Sequence, residues 1–419
     1  MIQLLRRKGV GLLVFVSLLV WSSALVFAEP VVLRFFGLHG DHRFSDEPFV
    51  DEFNRKYEGR IRIEYESGWS EALQVRIAAG LTPDVFGIQD MVLYPLWDSG
   101  LLMDLTPLVE RSSNIYDVMH PVVRQRGEID GRLYALSIAT GLAAMQHMAF
   151  YYNPRLFIEA GVAPPPQDPN TGWTWSEFVS TAQTLTQQDA QGNPVTWGFD
   201  VGNDGRFYAI LHTFGARFYD PNKKQLDIAS EAGIQAVLDY QDLFYTHRVA
   251  PTPNQSGGGR NGFVNGSVAM LIDGSWFPTT SWDNDVVEWS VGVFPVGRTA
   301  SHPSTYVWGD AVSMSSTTAH PEEAWLFLQE LISYRWQVEE RGRFGQLERF
   351  PDEYINENAV VYNFTAQYGL PMLLYFEGGF EMRDAYYAPE IRNRARSRGD
   401  VHVGMIQELH DRLVAMMNQ

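Results

Sequence analysis

The 419-residue chain contains no cysteine. That absence excludes disulfides, thiolate metal sites and a cysteine nucleophile. It also excludes the lipid-modified N-terminal cysteine by which a cell with a single membrane would retain an exported protein. Lysine is scarce, since arginine supplies 28 of the 32 basic residues, and basic residues of both kinds are outnumbered, giving a formal net charge of −18. A chain this acidic repels nucleic acid and anionic lipid headgroups, so neither is expected as a partner. The Gly-x-x-x-x-Gly-Lys-Ser/Thr string of a P-loop is missing, and Gly266-Ser267 and Gly274-Ser275 lack the Gly-x-Ser-x-Gly elbow of a serine nucleophile. His39, Asp41 and His42 lie close in sequence, but no His-x₃-His helix or cysteine cluster backs them, so an ordinary turn is expected there. Neither a metal nor a cofactor is expected.

The N-terminus carries Arg6, Arg7 and Lys8 ahead of an apolar run from Val10 to Val20, ending in Val26-Phe27-Ala28 before Glu29-Pro30. This pattern reads as a signal peptide over residues 1–28 with small residues at positions −3 and −1 of the cut; the other reading is an uncleaved membrane anchor, and both export the domain. Removing the leader leaves 29 basic against 50 acidic residues, a net charge of −21 over 391 residues. With no lipid-anchor cysteine, a free exported protein needs an outer membrane to confine it, which predicts the periplasm of a two-membrane bacterium.

About 390 residues are too many for one core and suit two domains. No Gly/Ser linker or internal repeat separates them, and Ser256–Gly262 reads as a surface loop. Strand and helix signals alternate. Val31–Phe36 reads as a buried strand ending in the Gly37–Asp41 turn, Ile61–Tyr65 alternates as a second strand, and Asp84–Ile88 reads as a third. Between the second and third, Ser70 is expected to cap a helix carrying Leu73 and Ile77 and stopped by Gly80 and Pro83. Thr174-Trp175-Ser176-Glu177 has capping-box spacing. Pro321, Glu322 and Glu323 open a helix whose Ala324, Phe327, Leu328 and Leu331 share one face. This βαβ rhythm predicts an α/β protein with parallel, doubly wound strands and helices on both sheet faces.

In open α/β sheets ligands bind beyond the carboxyl ends of strands. That rule selects Gly37–Asp41, Gly68–Ser70, Gln89-Asp90 and Gly274–Phe277. Those loops hold Trp69 before a polar helix start, Asp90 after an apolar strand, and Trp276 at a strand-to-turn junction where no periodicity requires a large ring. An aromatic face beside a carboxylate is the chemistry a neutral sugar needs, the ring stacking on its CH face and polar side chains pairing its hydroxyls. A buried hydroxyl left unpaired costs about 1–3 kcal/mol, so several partners are required. The plainer reading is that most aromatics in a chain with 13% of them are core, and that Asp90 is a helix N-cap.

Four strings occur in order: Thr82-Pro83-Asp84-Val85-Phe86, Tyr151-Tyr152-Asn153, Met270-Leu271-Ile272-Asp273-Gly274-Ser275-Trp276, and His320-Pro321-Glu322-Glu323-Ala324-Trp325. Together with the leader they resemble the family-1 extracellular solute-binding proteins, receptors of sugar-importing ABC transporters. The resemblance implies a type II periplasmic-binding-protein fold, two lobes each with a central mixed sheet flanked by helices. It implies three crossings between lobes, near 137–140, 295–306 and 345–351, with an N-lobe of 29–138 plus 308–345 and a C-lobe of 141–296 plus 350–419. It places Trp276 as a stacking platform and Asp90, Trp69, His39 and Asp41 at ligand-contacting positions. Trp308-Gly309-Asp310 falls at the cleft, although many relatives have a second glycine in place of Asp310. Asn203, Arg206 and Tyr208, and Tyr386 with Tyr387, occupy segments where relatives of the maltose-binding type supply contacts.

The resemblance further implies a monomer that closes on its ligand and presents it to permease subunits in the inner membrane. A neutral mono- or oligosaccharide is the expected ligand. Glycerol phosphate esters and other anions are the alternative and call for convergent arginines, with Arg43, Arg76 and Arg206 available. A secreted glycoside hydrolase would need two carboxylates about 5–9.5 Å apart across a cleft, and the abundance of acidic residues does not by itself supply such a pair.

Overall fold

Within the strands, neighbouring side chains belong to different cores. The computed structural model describes residues 29–38, 46–112, 126–137, 146–168, 170–220, 223–275, 277, 288–345, 369–371 and 382–418. Strand β1 (Val31–Leu38) sends Leu33 and Phe35 into one apolar cluster and Phe36 into another. The same alternation divides β5 (Gln146–Tyr152), where Met148, Phe150 and Tyr152 join one cluster and Ala149 and Tyr151 join a second. A strand that is apolar on both faces must be covered on both, as the sequence predicts for a doubly wound sheet. Each fully buried phenylalanine or leucine in these layers contributes about 1.5–3 kcal/mol relative to exposure.

The strands form two mixed sheets. The first runs β2-β1-β3-β10-β4, built from β2 (Ile61–Gly68), β1, β3 (Val85–Gln89), β10 (Asp310–Met314) and β4 (Leu136–Ser137). In it β1 lies parallel to β2 and β3, while β10 is antiparallel to β3 and β4. The second runs β6-β7-β5-β9-β11, from β6 (Asp200–Val201), β7 (Met270–Gly274), β5, β9 (Thr305–Trp308) and β11 (Gly369–Pro371), with β8 (Ser290–Gly292) also paired to β5. Here β6 and β7 are parallel, β5 is antiparallel to β7 and β9, and β9 is parallel to β11.

The chain leaves the first sheet after Ser137 and enters the second at Gln146. It leaves the second at Trp308 and enters the first at Asp310. The sequence reading set a crossing within 295–306, but Thr305–Trp308 is still a strand of the second sheet, held between β5 and β11. The third crossing, expected near 345–351, falls beyond Gly345 on residues outside those described.

Local signals largely hold. Thr174 and Glu177 form both arms of the capping box at the head of the helix Trp175–Leu185. Pro321 opens a helix reaching Gly345, with Ala324, Phe327, Leu328 and Leu331 all fully buried. Gly80 adopts φ +73° just beyond the helix Ser70–Ala78, a left-handed stop that favours glycine. Ser70 differs from expectation: Trp69 is the N-cap, and the Ser70 hydroxyl instead donates to Gln89 Oε1 at 3.1 Å. A pairing across two strand ends replaces the local cap.

Candidate ligand-binding site

The register of the first sheet gathers its carboxyl ends. Leu38 lies opposite Gly68, and Gln89 opposite Asp310, so β1, β2 and β3 end on the edge where β10 begins and β4 ends. Trp69 stands there with 56% of its surface exposed, between a buried Ser70 and the end of β2. Asp90 is the first residue of the helix Asp90–Asp98, with Gln89 rather than Asp90 as its N-cap. Asp310 is buried, at 4% exposure.

Gly309 joins the two sheets and has a specific reason to lack a side chain. A Cβ built on it would lie 2.4 Å from Arg126 Nη2 and 2.7 Å from Nη1. The buried Arg126 guanidinium therefore rests on the backbone of the passage itself. Trp308 ends β9 opposite Gln146.

The second sheet presents an equivalent edge. Beyond β6, Asn203 is exposed and its side-chain oxygen accepts from the Gly205 amide at 2.9 Å. Arg206 was expected to contact ligand, yet it is only 6% exposed and its Nε donates to Asp273 Oδ1 at 2.8 Å. Asp273, fully buried in β7, also accepts from Nη2 of Arg260 at 2.8 Å and from Arg260 Nε. The Asp273 pairing raises the Arg260 pKa above its ordinary value. Gly202 lies against the same carboxylate, where an added Cβ would sit 2.0 Å from Asp273 Oδ2.

Tyr208, another expected contact, is inside the second-sheet core at 4% exposure. The guanidinium carbons of Arg383 and Arg392 lie 5.3 and 5.6 Å from its ring centroid. Burial pushes its phenol up to about 12, against the opposing pull of those two cations. Tyr387 is fully buried beside it and Tyr386 is half-buried against the same core. The structure thus brings Asn203 and the β7 turn together on one edge and sets Arg206, Tyr208 and Tyr387 behind it. His39, Asp41, Trp276 and Arg43 lie outside the described residues.

Of the arginines named for an anionic ligand, the two described, Arg76 and Arg206, are engaged by carboxylates. Arg76 is ion-paired with Glu66, and its guanidinium lies 5.7 Å from the Phe36 ring centroid. Arg206 is held by Asp273. Sequence reasoning missed Asp273, Arg260 and Arg126. For Asp273 a signal existed, because a carboxylate inside Met270-Leu271-Ile272-Asp273-Gly274 must find a cation if that strand is buried.

Comparison with known proteins agrees with this architecture. A model of the bacterial extracellular solute-binding protein family matches residues 41–338. Among curated relatives, a lactose-binding protein of Rhizobium radiobacter is 24% identical over 322 residues, covering 70% of this chain and 71% of the relative. An ABC substrate-binding protein of Listeria monocytogenes, solved in complex with cycloalternan, is 20% identical with a TM-score of 0.75, covering 93% of this chain and all of that one (100%). A cyclic alpha-maltosyl-1,6-maltose binding protein of Arthrobacter globiformis is 18% identical with a TM-score of 0.71, covering 93% and 99% of the two chains. With the two-sheet fold and a family match over most of its length, the chain belongs to the bacterial extracellular solute-binding proteins.

Proposed function

We propose that this protein is a nonenzymatic receptor that captures a neutral mono- or oligosaccharide between two lobes and delivers it to an ABC importer. The observation that carries this reading is the shared placement of the strand ends. Both sheets direct their open edges to the segments where the chain passes between them, and the first edge carries an exposed tryptophan. Stacking on Trp69, with Asn203 pairing hydroxyls, meets the requirement of a sugar for an apolar face and a polar partner. Trp276, Asp90, His39 and Asp41 join this set on the sequence motif alone, while Arg206 and Tyr208 support it from behind.

Three relatives named for or bound to oligosaccharides or lactose favour a carbohydrate. The engagement of Arg76 and Arg206 by carboxylates favours a neutral one over a phosphate ester. In this reading the lobes comprise about 29–138 with 309–345 and about 146–308 with 369–419. The protein is exported, acts as a monomer in the periplasm and docks on permease subunits in the inner membrane.

A thermal-shift panel of neutral sugars, oligosaccharides, polyols, glycerol phosphates and divalent metals, with product analysis of each hit, tests the proposal. Ligand bound only to the native state raises its stability, by about 2.7 kcal/mol at a hundredfold excess over Kd. Stabilisation by a sugar recovered intact is the expected result. Cleavage of the sugar, or a response to phosphate esters alone, overturns it.

A further inference from the structure

Asp273 is a fully buried carboxylate serving two guanidinium groups. Arg206 comes from the loop after β6 with 7% of its side chain exposed, and Arg260 from the helix Gly259–Val264 with 32% exposed. The same carboxylate accepts from the backbone amide of Gly274, the last residue of β7, at 2.7 Å. Gly202 leaves room for it by having no side chain. Tyr306 extends the connection, since its hydroxyl donates to the carbonyl of Gly205, the residue before Arg206, at 3.4 Å. Tyr306 is a buried residue of β9, two positions before the end of the strand that passes into the first sheet.

A buried ion cluster is a poor way to gain stability, because an apolar residue of similar volume generally does as well or better. What it supplies is a single geometry: the planar guanidinium fork accepts few orientations, and moving Asp273 would take its carboxylate away from both guanidinium groups at once. We propose that Asp273 is a positioning residue for ligand capture, fixing the Gly202–Arg206 loop, Gly274 at the end of β7 and, through the Gly205 carbonyl and Tyr306, strand β9 in one arrangement. The role in capture rests on the receptor reading above. The physical coupling does not.

Amide hydrogen exchange on the purified, ligand-free full chain tests it, comparing wild type with Asp273→Asn, Arg206→Met and Arg260→Met, alongside urea unfolding midpoints. Asp273→Asn is expected to speed exchange roughly tenfold or more at Gly202–Phe207, Gly274–Ser275 and Tyr306–Trp308, with β1 and β2 unchanged. Arg206→Met should release the first and third of these segments, and Arg260→Met only Gly274–Ser275 and its own helix. Should Asp273→Asn fail to fold, the contrast between the two arginine variants carries the test. Protection of β9 that persists in Arg206→Met, or faster exchange spread evenly over both sheets, overturns the coupling. A receptor reading that fails in the sugar panel leaves these exchange patterns unaltered, so the two can fail separately.

Discussion

Trp69 separates a binding role from a packing role because it is large, aromatic and mostly outside the core. A tryptophan with 56% of its surface exposed contributes little to native packing, while stacking on a sugar would bury its free face. Trp69→Ala is therefore expected to weaken sugar binding at least tenfold by calorimetric titration, about 1.4 kcal/mol, while shifting the ligand-free melting temperature little. A large loss of ligand-free stability would assign Trp69 to structure instead. His212 illustrates the opposite case, a titratable side chain with no route to solvent. Burial, with help from the Arg217 charge, pushes its imidazole down to about 3 against the opposing bond with the Thr305 backbone. The unfolded chain takes up a proton below about 6.5 that the folded chain refuses until about 3, so stability falls as pH drops through that window. Between pH 6.5 and 5 the wild type should lose about 2 kcal/mol more than His212→Asn in urea unfolding. Equal losses would show that His212 takes up its proton without unfolding.

At the scale of elements, sequence was readable where the cause is local. Thr174 and Glu177 announce their helix because both arms of the box lie within four residues. Thr174→Ala is expected to cost about 1 kcal/mol in denaturant unfolding, and an unchanged midpoint would mean that tertiary packing alone holds that helix. Strands β1 and β3 were readable from their apolar runs and β2 from its alternation. Ser70 was misread because its partner, Gln89, is supplied by another strand. The passage at Gly309 was set too early for the same reason: nothing in Thr305–Trp308 reveals its pairing with β5 and β11. Within the site, Trp69 was legible as a loop residue after a strand, and Asn203 only through the family resemblance. Arg206 was legible as important but not as buried, because its partner Asp273 lies 67 residues away.

At the scale of the whole molecule, two mixed sheets are joined by passages at their open edges, and the proposed receptor works by their closure. Arg126 packs on Gly309 at the passage between the sheets, and Tyr306 just before it bonds the Gly205 carbonyl. Closure needs contacts made only in the closed form, and a ligand spanning both edges supplies them. The most direct test is small-angle scattering on the purified protein with and without a saturating sugar that stabilises it in the thermal panel. The account predicts a smaller radius of gyration with the sugar bound, reversed when the sugar is dialysed away. A sugar that binds and leaves the radius unchanged would contradict capture by closure of the two lobes.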